Sequence, residues 1–422
     1  MLIELQVENF ASIRERQTLS MVASKAVKEH GDTHVFRPEG EGLDRIGLLH
    51  SAAIYGANAA GKSNLIRALW RMGQFVLTSD REDLEGRQAH GLLPPPLVPF
   101  KLSPEWVGRP SRFEVTFLHE AVRYQYGFTL GSQGVVEEWL VAYPKGRSQV
   151  LFERGPEVAG GWYLNRSLGA KTRDLQERTR QDALFLSVAA RWNHAVLSPV
   201  YAWFKNHVRF IDSSIPWDYT VQRAATDPAF KAELVAFLRK ADFGVTDIQF
   251  QTVPVKSLRF DIVKGLVEAD ESEQVQPFLM HRSSDGLGSV PFAGLAEESA
   301  GTITYLTLAG HWLDVLASGN TLLVDELEGS LHPLLVRKLI EVFHNPVLNP
   351  KHAQLVFTTQ LPLLLDQDLL RRDQVWFVEK NVEGATVVFP LTDFSPRNRE
   401  ALQKGYLGGR YGAVPLLEEA LI

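Results

Sequence analysis

Gly56-Ala57-Asn58-Ala59-Ala60-Gly61-Lys62-Ser63 matches the spacing G-x-x-x-x-G-K-[ST], and each fixed position answers a chemical need. Glycines let a loop wrap closely enough for backbone N–H groups to point at phosphate oxygens. A helix that follows aims its positive end at the same oxygens. Lys62 then reaches the β- and γ-phosphates of a nucleotide, and the Ser63 hydroxyl becomes a ligand for Mg2+. An apolar run precedes the motif and a helical pattern follows it. That context favours a nucleoside-triphosphate site spanning Gly56 to Asn64 over a chance glycine-rich turn.

Such a site needs a second anchor for its metal. The buried-strand pattern Thr321-Leu322-Leu323-Val324 ends in Asp325 and Glu326. Asp325 can hold Mg2+ through water, and Glu326 can polarise the water that attacks the γ-phosphate. Glu298-Ser299-Ala300-Gly301-Thr302 is a third element, with a hydroxyl on Ser299 and a close-approach backbone at Gly301 where a helix starts. Alone, that pentapeptide reads as an ordinary capped helix start. Its place in the order P-loop, Ser-x-Gly helix, Asp-Glu strand gives it more weight.

The elements that must carry these residues are legible from periodicity. Leu2–Phe10 alternates as a strand, 52–55 is a short buried run before Gly56, and Asn64–Leu77 has apolar residues at helical spacing. The stretch Gly91–Pro99 holds four prolines and reads as a loop. Arg112–Leu118, Val122–Leu130 and Val135–Tyr143 form an antiparallel meander. Residues from about Lys171 to Asp242 read as mostly helical. Within them Lys171, Arg173, Arg178 and Arg180 stand against Asp174 and Glu177, a solvated helix face on the plainer reading and a nucleic-acid or partner surface on the other. Val245–Val253 and Leu258–Val263 are strand-like; Thr302–Leu316 and Leu331–Phe343 are helices; Asn320–Val324, Gln354–Thr358 and Gln374–Val378 are strands. Strands alternating with helices predict an α/β fold around a mainly parallel sheet.

Composition narrows the classes. The chain has 422 residues and no cysteine, which excludes a disulfide framework and cysteine-ligated metal. The start MLIELQVENF carries Glu4 and Glu8 and lacks the basic, then apolar, order of a signal peptide. Apolar runs fall short of a bilayer span. The expected setting is cytoplasmic, with no membrane partner. A formal charge of −6 gives no general attraction to nucleic acid and leaves room for a local basic groove.

The order and identity of these motifs resemble ABC-type ATPases of the RecF, SMC and OLD group. "VENFASI", "GANAAGKSN", "EESAGT", "LLVDELEGSLHP", "RRDQVWFVEK" and the tail "KGYLGGRYGAVP" look like the RloA/AbiLi abortive-infection ATPases. The resemblance implies ATP and Mg2+ as cofactors and a homodimer or higher oligomer with composite sites. In it, Ser299 and Gly301 of one copy meet the γ-phosphate held by Lys62 of the other. Glu328 to His332 lies at the seam; for His332 a plain helix-start role before Pro333 stands beside that reading. Relatives usually place a histidine after the "TT" of the last core strand, where this chain has Gln360. Gln360 can donate a hydrogen bond but cannot carry charge, which predicts slow turnover rather than loss of binding. Gln125 is a candidate for the Q-loop glutamine, and simple alternation reads it instead as a strand-surface residue.

On this resemblance the chain divides into 1–80, the first half of an ATPase core with the P-loop; 81–165, its antiparallel β part; 166–243, a helical insertion; 244–380, the second core half; and 381–422, a tail. OLD proteins add a nuclease domain, for which the roughly 40 residues after Lys380 are too few. The expected function is a nucleotide-gated switch or scaffold in anti-phage defence with a separate effector, as RloA pairs with RloB, AbiLi with AbiLii and the PARIS ATPase with a toprim nuclease. The alternative is a RecF-like repair ATPase acting directly on DNA.

Overall fold

The computed structural model describes residues 1–40, 42–43, 45–81, 98–212, 217–261, 266–292, 295–397 and 400–415. Most of the proline-rich stretch expected as a loop, and the end of the strand expected over Leu258–Val263, lie outside them. The described residues form a mixed α/β protein that divides into two compact units.

The first unit comprises Met1–Asp212, Ser318–Leu327 and Arg337–Ile422. Its core sheet runs in the order Val208–Ile211, Thr321–Val324, Gln354–Thr359, Ser51–Tyr55, Val375–Lys380, Thr386–Pro390. The first five strands are parallel and the last is antiparallel. Every residue of Ser51–Tyr55, Thr321–Val324 and Gln354–Thr359 is buried. Strands covered on both faces need continuous apolar runs rather than alternation, and these have them. The helix Lys62–Thr78 packs over the sheet with Leu65, Ile66, Leu69, Met72, Phe75 and Val76 on its buried side. That spacing of three and four residues is one helical face.

A second, wholly antiparallel sheet of seven strands carries the meander outward and draws in the start of the chain, with Leu2–Glu8 between Gln17–Ser20 and Ser111–His119. Gln354 ties the two sheets together. Its buried side chain accepts from Leu2 N–H (2.6 Å) and donates to the carbonyls of Leu2 (3.0 Å) and Leu49 (3.1 Å). Left unpaired, that amide would cost about 1–3 kcal/mol in desolvation; fully paired, it fixes where one sheet meets the other.

The second unit, Ser213–Ala317 with Glu328–Val336, holds the helices Asp218–Thr226 and Pro228–Arg239 and a three-stranded antiparallel sheet of Val245–Asp261, Leu266–Arg282 and Ser289–Phe292. Most of the helix Ala300–Ser318 belongs to it. Asp227 caps the second helix by accepting from Ala229 N–H and Phe230 N–H. The buried carboxylate of Asp314 accepts from Tyr219 and pairs with Arg223.

Two expectations need correction. The mostly helical stretch contains Val208–Ile211, an edge strand of the parallel core; four residues are too few for periodicity to separate strand from helix. The two strands expected after residue 244 are one long strand, Val245–Asp261, which pairs with the unforeseen Leu266–Arg282. The second of these carries Glu268, Asp270, Glu271 and Glu273, and that charge hid its strand pattern. No helix among the described residues is long and apolar enough to cross a membrane.

Candidate functional site

Three strand ends and one helix start converge in the first unit. Ser51–Tyr55 runs into the loop Gly56 to Gly61, and Gly61, at φ 113°, turns it into the helix. The glycines are required by contact as well as by conformation. A Cβ on Gly56 would sit 2.3 Å from the Val378 carbonyl oxygen, and one on Gly61 would sit 2.2 Å from Thr386 Oγ1. The helix has no side-chain cap and no acidic residue in its first turn. The helix dipole at that end favours negative charge, as in other helix-start anion sites. Lys62 is buried and folds back over the loop, donating to the carbonyls of Gly56 (2.8 Å) and Ala57 (3.1 Å).

Asp325 follows Thr321–Val324 and meets the helix start directly: Ser63 Oγ donates to Asp325 Oδ1 at 2.8 Å. Thr358 Oγ1, from the neighbouring strand, donates to the same oxygen at 2.8 Å. Arg67, one turn beyond Ser63, brings Nη2 to 3.1 Å from Asp325 Oδ2. A serine hydroxyl and a carboxylate are hard oxygen donors of the kind Mg2+ takes together with water and phosphate. The residues present therefore fit both the triphosphate and its metal. Nucleotide oxygens and water are the ligands that would complete the shell of such a metal.

Glu326 is exposed beside this pair and holds φ 55°, the left-handed region that a residue with a Cβ avoids at a cost of about 1–2 kcal/mol. Its N–H donates to Thr358 Oγ1 (2.7 Å), and the next residue, Leu327, donates to the Thr358 carbonyl (3.1 Å). Thr358 thus fixes both acids of the Asp-Glu pair. Backbone strain held in place by specific bonds is how a site aims a side chain; here it turns Glu326 out of the strand.

The rear of the loop is latched from two distant segments. Thr386 Oγ1 donates to the Ala60 carbonyl (2.8 Å) and bonds Ser12 Oγ (2.7 Å), while Asn64 Nδ2 donates to Ser12 Oγ (2.7 Å). The front of the loop faces a cavity of about 740 Å3 lined by Gly56, Ala57, Asn58 and Ala60, by exposed Gln360, and by Glu379, Lys380 and residues between Tyr406 and Pro415. Partial burial lowers the Lys380 pKa. The tail is seated on that wall: Ala413 N–H donates to Glu379 Oε2 (3.0 Å), and buried Tyr411 stacks on Phe377 at 5.7 Å.

The structure therefore brings Gly56 to Asn64, Asp325, Glu326 and Gln360 together. Ser299 and Gly301 lie in the second unit. Ser299 is exposed and caps its helix, accepting from Thr302 N–H at 3.1 Å. Gly301 abuts the 328–331 turn, where a Cβ would lie 3.1 Å from the Ser330 carbonyl oxygen. Exposed His332 begins the helix Pro333–His344, its carbonyl accepting from Val336 N–H. Gln125 sits within the meander, donating to Glu114 (2.7 Å) and accepting from Tyr143 (2.9 Å). It is not part of the loop constellation. Thr358, Ser12, Thr386, Arg67 and the neighbouring Asp212 were not singled out by sequence. Only Ser12 and Thr358 lay in quoted motifs, and nothing in spacing marks a latch.

A protein-family profile described as "AAA domain, putative AbiEii toxin, Type IV TA system" matches residues 51–366. The chain belongs to this family. The match begins at the strand before the P-loop and runs past Asp325, Glu326 and Gln360. Membership makes the chain a P-loop ATPase that binds nucleotide, with ATP hydrolysis as the activity the family implies. It also links the chain to abortive infection and toxin–antitoxin systems at the level of the family's description. No curated protein matches it.

Proposed function

We propose that the chain is an ABC-type ATPase that closes as a dimer on Mg2+ and ATP and serves as a switch for a separate effector in anti-phage defence. The observation that carries the catalytic part is the Ser63–Asp325 bond beside a strained, exposed Glu326. When bound, Mg2+ would neutralise charge on the β- and γ-phosphates. Lys62 binds those phosphates, Ser63 and Asp325 hold the metal position, and Glu326 orients water and accepts its proton. Gln360, at the mouth of the front cavity, donates a hydrogen bond toward the γ-phosphate side without adding charge. Ser299 supports the composite reading: an exposed hydroxyl at a helix start suits the phosphate of a second copy. The defence role rests on the family description and on the motifs shared with RloA/AbiLi-type ATPases.

Glu326→Gln tests this reading. It preserves shape and removes only the carboxylate, so ATP binding should persist, steady-state phosphate release should fall at least about 100-fold, and light scattering should show an ATP-dependent dimer. Unchanged turnover would remove Glu326 from the mechanism, and a monomer with ATP bound would remove the dimer switch.

A further inference from the structure

Arg67 is a cation in the place where a divalent metal is expected to act. It lies four residues after Ser63, on the same face of the helix. Its Nη2 is 3.1 Å from Asp325 Oδ2 and 3.9 Å from Asp212 Oδ2. The two carboxylates are matched by topology. Ile211 pairs with Val324 in parallel register, so Asp212 and Asp325 are the next residues on adjacent strands. Asp325 N–H donates to the Ile211 carbonyl at 2.8 Å, which locks that alignment. Trp70 stacks on Phe210 at 5.1 Å and fixes the helix over the edge strand, holding Arg67 above both strand ends. Of the three charged side chains, Asp325 is 5%, Asp212 22% and Arg67 43% exposed. The buried acid is shared, and the cation has room to move outward.

Two carboxylates side by side repel unless a cation lies between them. Mg2+ arriving beside Ser63 and Asp325 would supply that charge, and the guanidinium would then face a like charge. We propose that Arg67 is a built-in counter-cation for the metal pocket, bridging Asp325 and Asp212 before Mg2+ binds and shifting onto Asp212 when it does. Arg67 thereby sets how much Mg2+ the site needs. Asp212 is a positioning residue that acts through Arg67. The inference rests on the proposed reading of Ser63 and Asp325 as the metal-holding pair.

The test is the Mg2+ dependence of binding, followed with a fluorescent ATP analogue at fixed nucleotide and increasing Mg2+, with thermal melts to verify folding. Removing a partly exposed ion pair and a like charge should shift the Mg2+ midpoint at least about threefold. Arg67→Met should lower the midpoint by that factor, and Arg67→Lys should leave it near wild type. Asp212→Asn should raise it, because Arg67 then rests on Asp325 alone. Asp212→Asn should have no further effect in the Arg67→Met background. If Arg67→Met fails to fold, Arg67→Gln carries the same test. An unchanged or raised midpoint in the neutral variant overturns the proposal. So does an Asp212→Asn effect that persists without Arg67, since Asp212 would then act on the metal itself. A wild-type chain that binds no nucleotide at any Mg2+ concentration would instead overturn the proposed function.

Discussion

Thr358→Val removes one hydroxyl and leaves the shape of the side chain. The hydroxyl accepts from Glu326 N–H at 2.7 Å and donates to Asp325 Oδ1 at 2.8 Å, and its residue is fully buried. In the valine variant the Glu326 N–H loses its acceptor, worth about 1–3 kcal/mol when the group stays out of water. Asp325 keeps Ser63 and Arg67 as partners, so its loss is smaller, about 1 kcal/mol. Glu326 also loses the bond that holds it at φ 55°, and relaxation out of that region would recover about 1–2 kcal/mol. Net destabilisation should therefore be modest, about 0–3 kcal/mol, while the aim of Glu326 is lost. Turnover should fall out of proportion to stability, by about 100-fold for a misplacement near 1 Å. The assay pairs urea unfolding with steady-state phosphate release, using Thr358→Ser as the control that keeps the hydroxyl. Valine and serine variants with equal turnover would show that the threonine does not aim the acid, and the account of the left-handed Glu326 would fall with it.

Two further outcomes follow from other parts of the chain. His34 and His50 are buried and stacked among histidines, and desolvation holds each pKa down from 6.5 to about 4. Both are neutral in the fold and take up a proton more readily when unfolded, so their contribution is complete above pH 6.5 and lost as pH falls toward 4. A fall from 6.5 to about 4 corresponds to about 3 kcal/mol for one such histidine, so the thermal midpoint should drop steadily between pH 6.5 and 5; a flat profile there would refute it. For the composite site, Ser299→Arg should spare ATP binding and abolish turnover, as Lys62→Ala should abolish both. A mixture of the two inactive proteins should regain partial ATPase, because a mixed dimer keeps one good Lys62 facing one good Ser299. Full activity of Ser299→Arg alone would sink the composite geometry.

The parts of the site that were legible in the sequence are those whose residues are neighbours in the chain. Gly56 to Ser63 is one loop, and its chemistry forces its spacing. Asp325 and Glu326 end a short apolar run that reads as a buried strand. Ser51–Tyr55, Thr321–Val324, Gln354–Thr359 and Val375–Lys380 were legible because burial writes a continuous apolar pattern into a short segment, and the P-loop helix because its apolar residues recur at helical spacing. What joins these pieces was not legible. Ser12 and Thr386 meet across 374 positions, and each alone is an ordinary hydroxyl residue. Val208–Ile211 passed as part of a helical stretch, which concealed that Asp212 stands level with Asp325.

The loop has no room for a side chain at Gly56 or Gly61. Its glycines are enforced from outside the motif. Gly56 is pressed by the Val378 carbonyl and Gly61 by Thr386 and Ser12, so the strands Val375–Lys380 and Thr386–Pro390 shape the cradle although neither holds a phosphate ligand. The tail packs on the first of these, through Glu379 and the Phe377–Tyr411 stack. Phe377 and Glu379, which the tail contacts, flank Val378, the residue whose carbonyl bounds Gly56. The tail thus backs the strand behind the P-loop and lines the same cavity as Gly56, Ala57, Asn58 and Ala60.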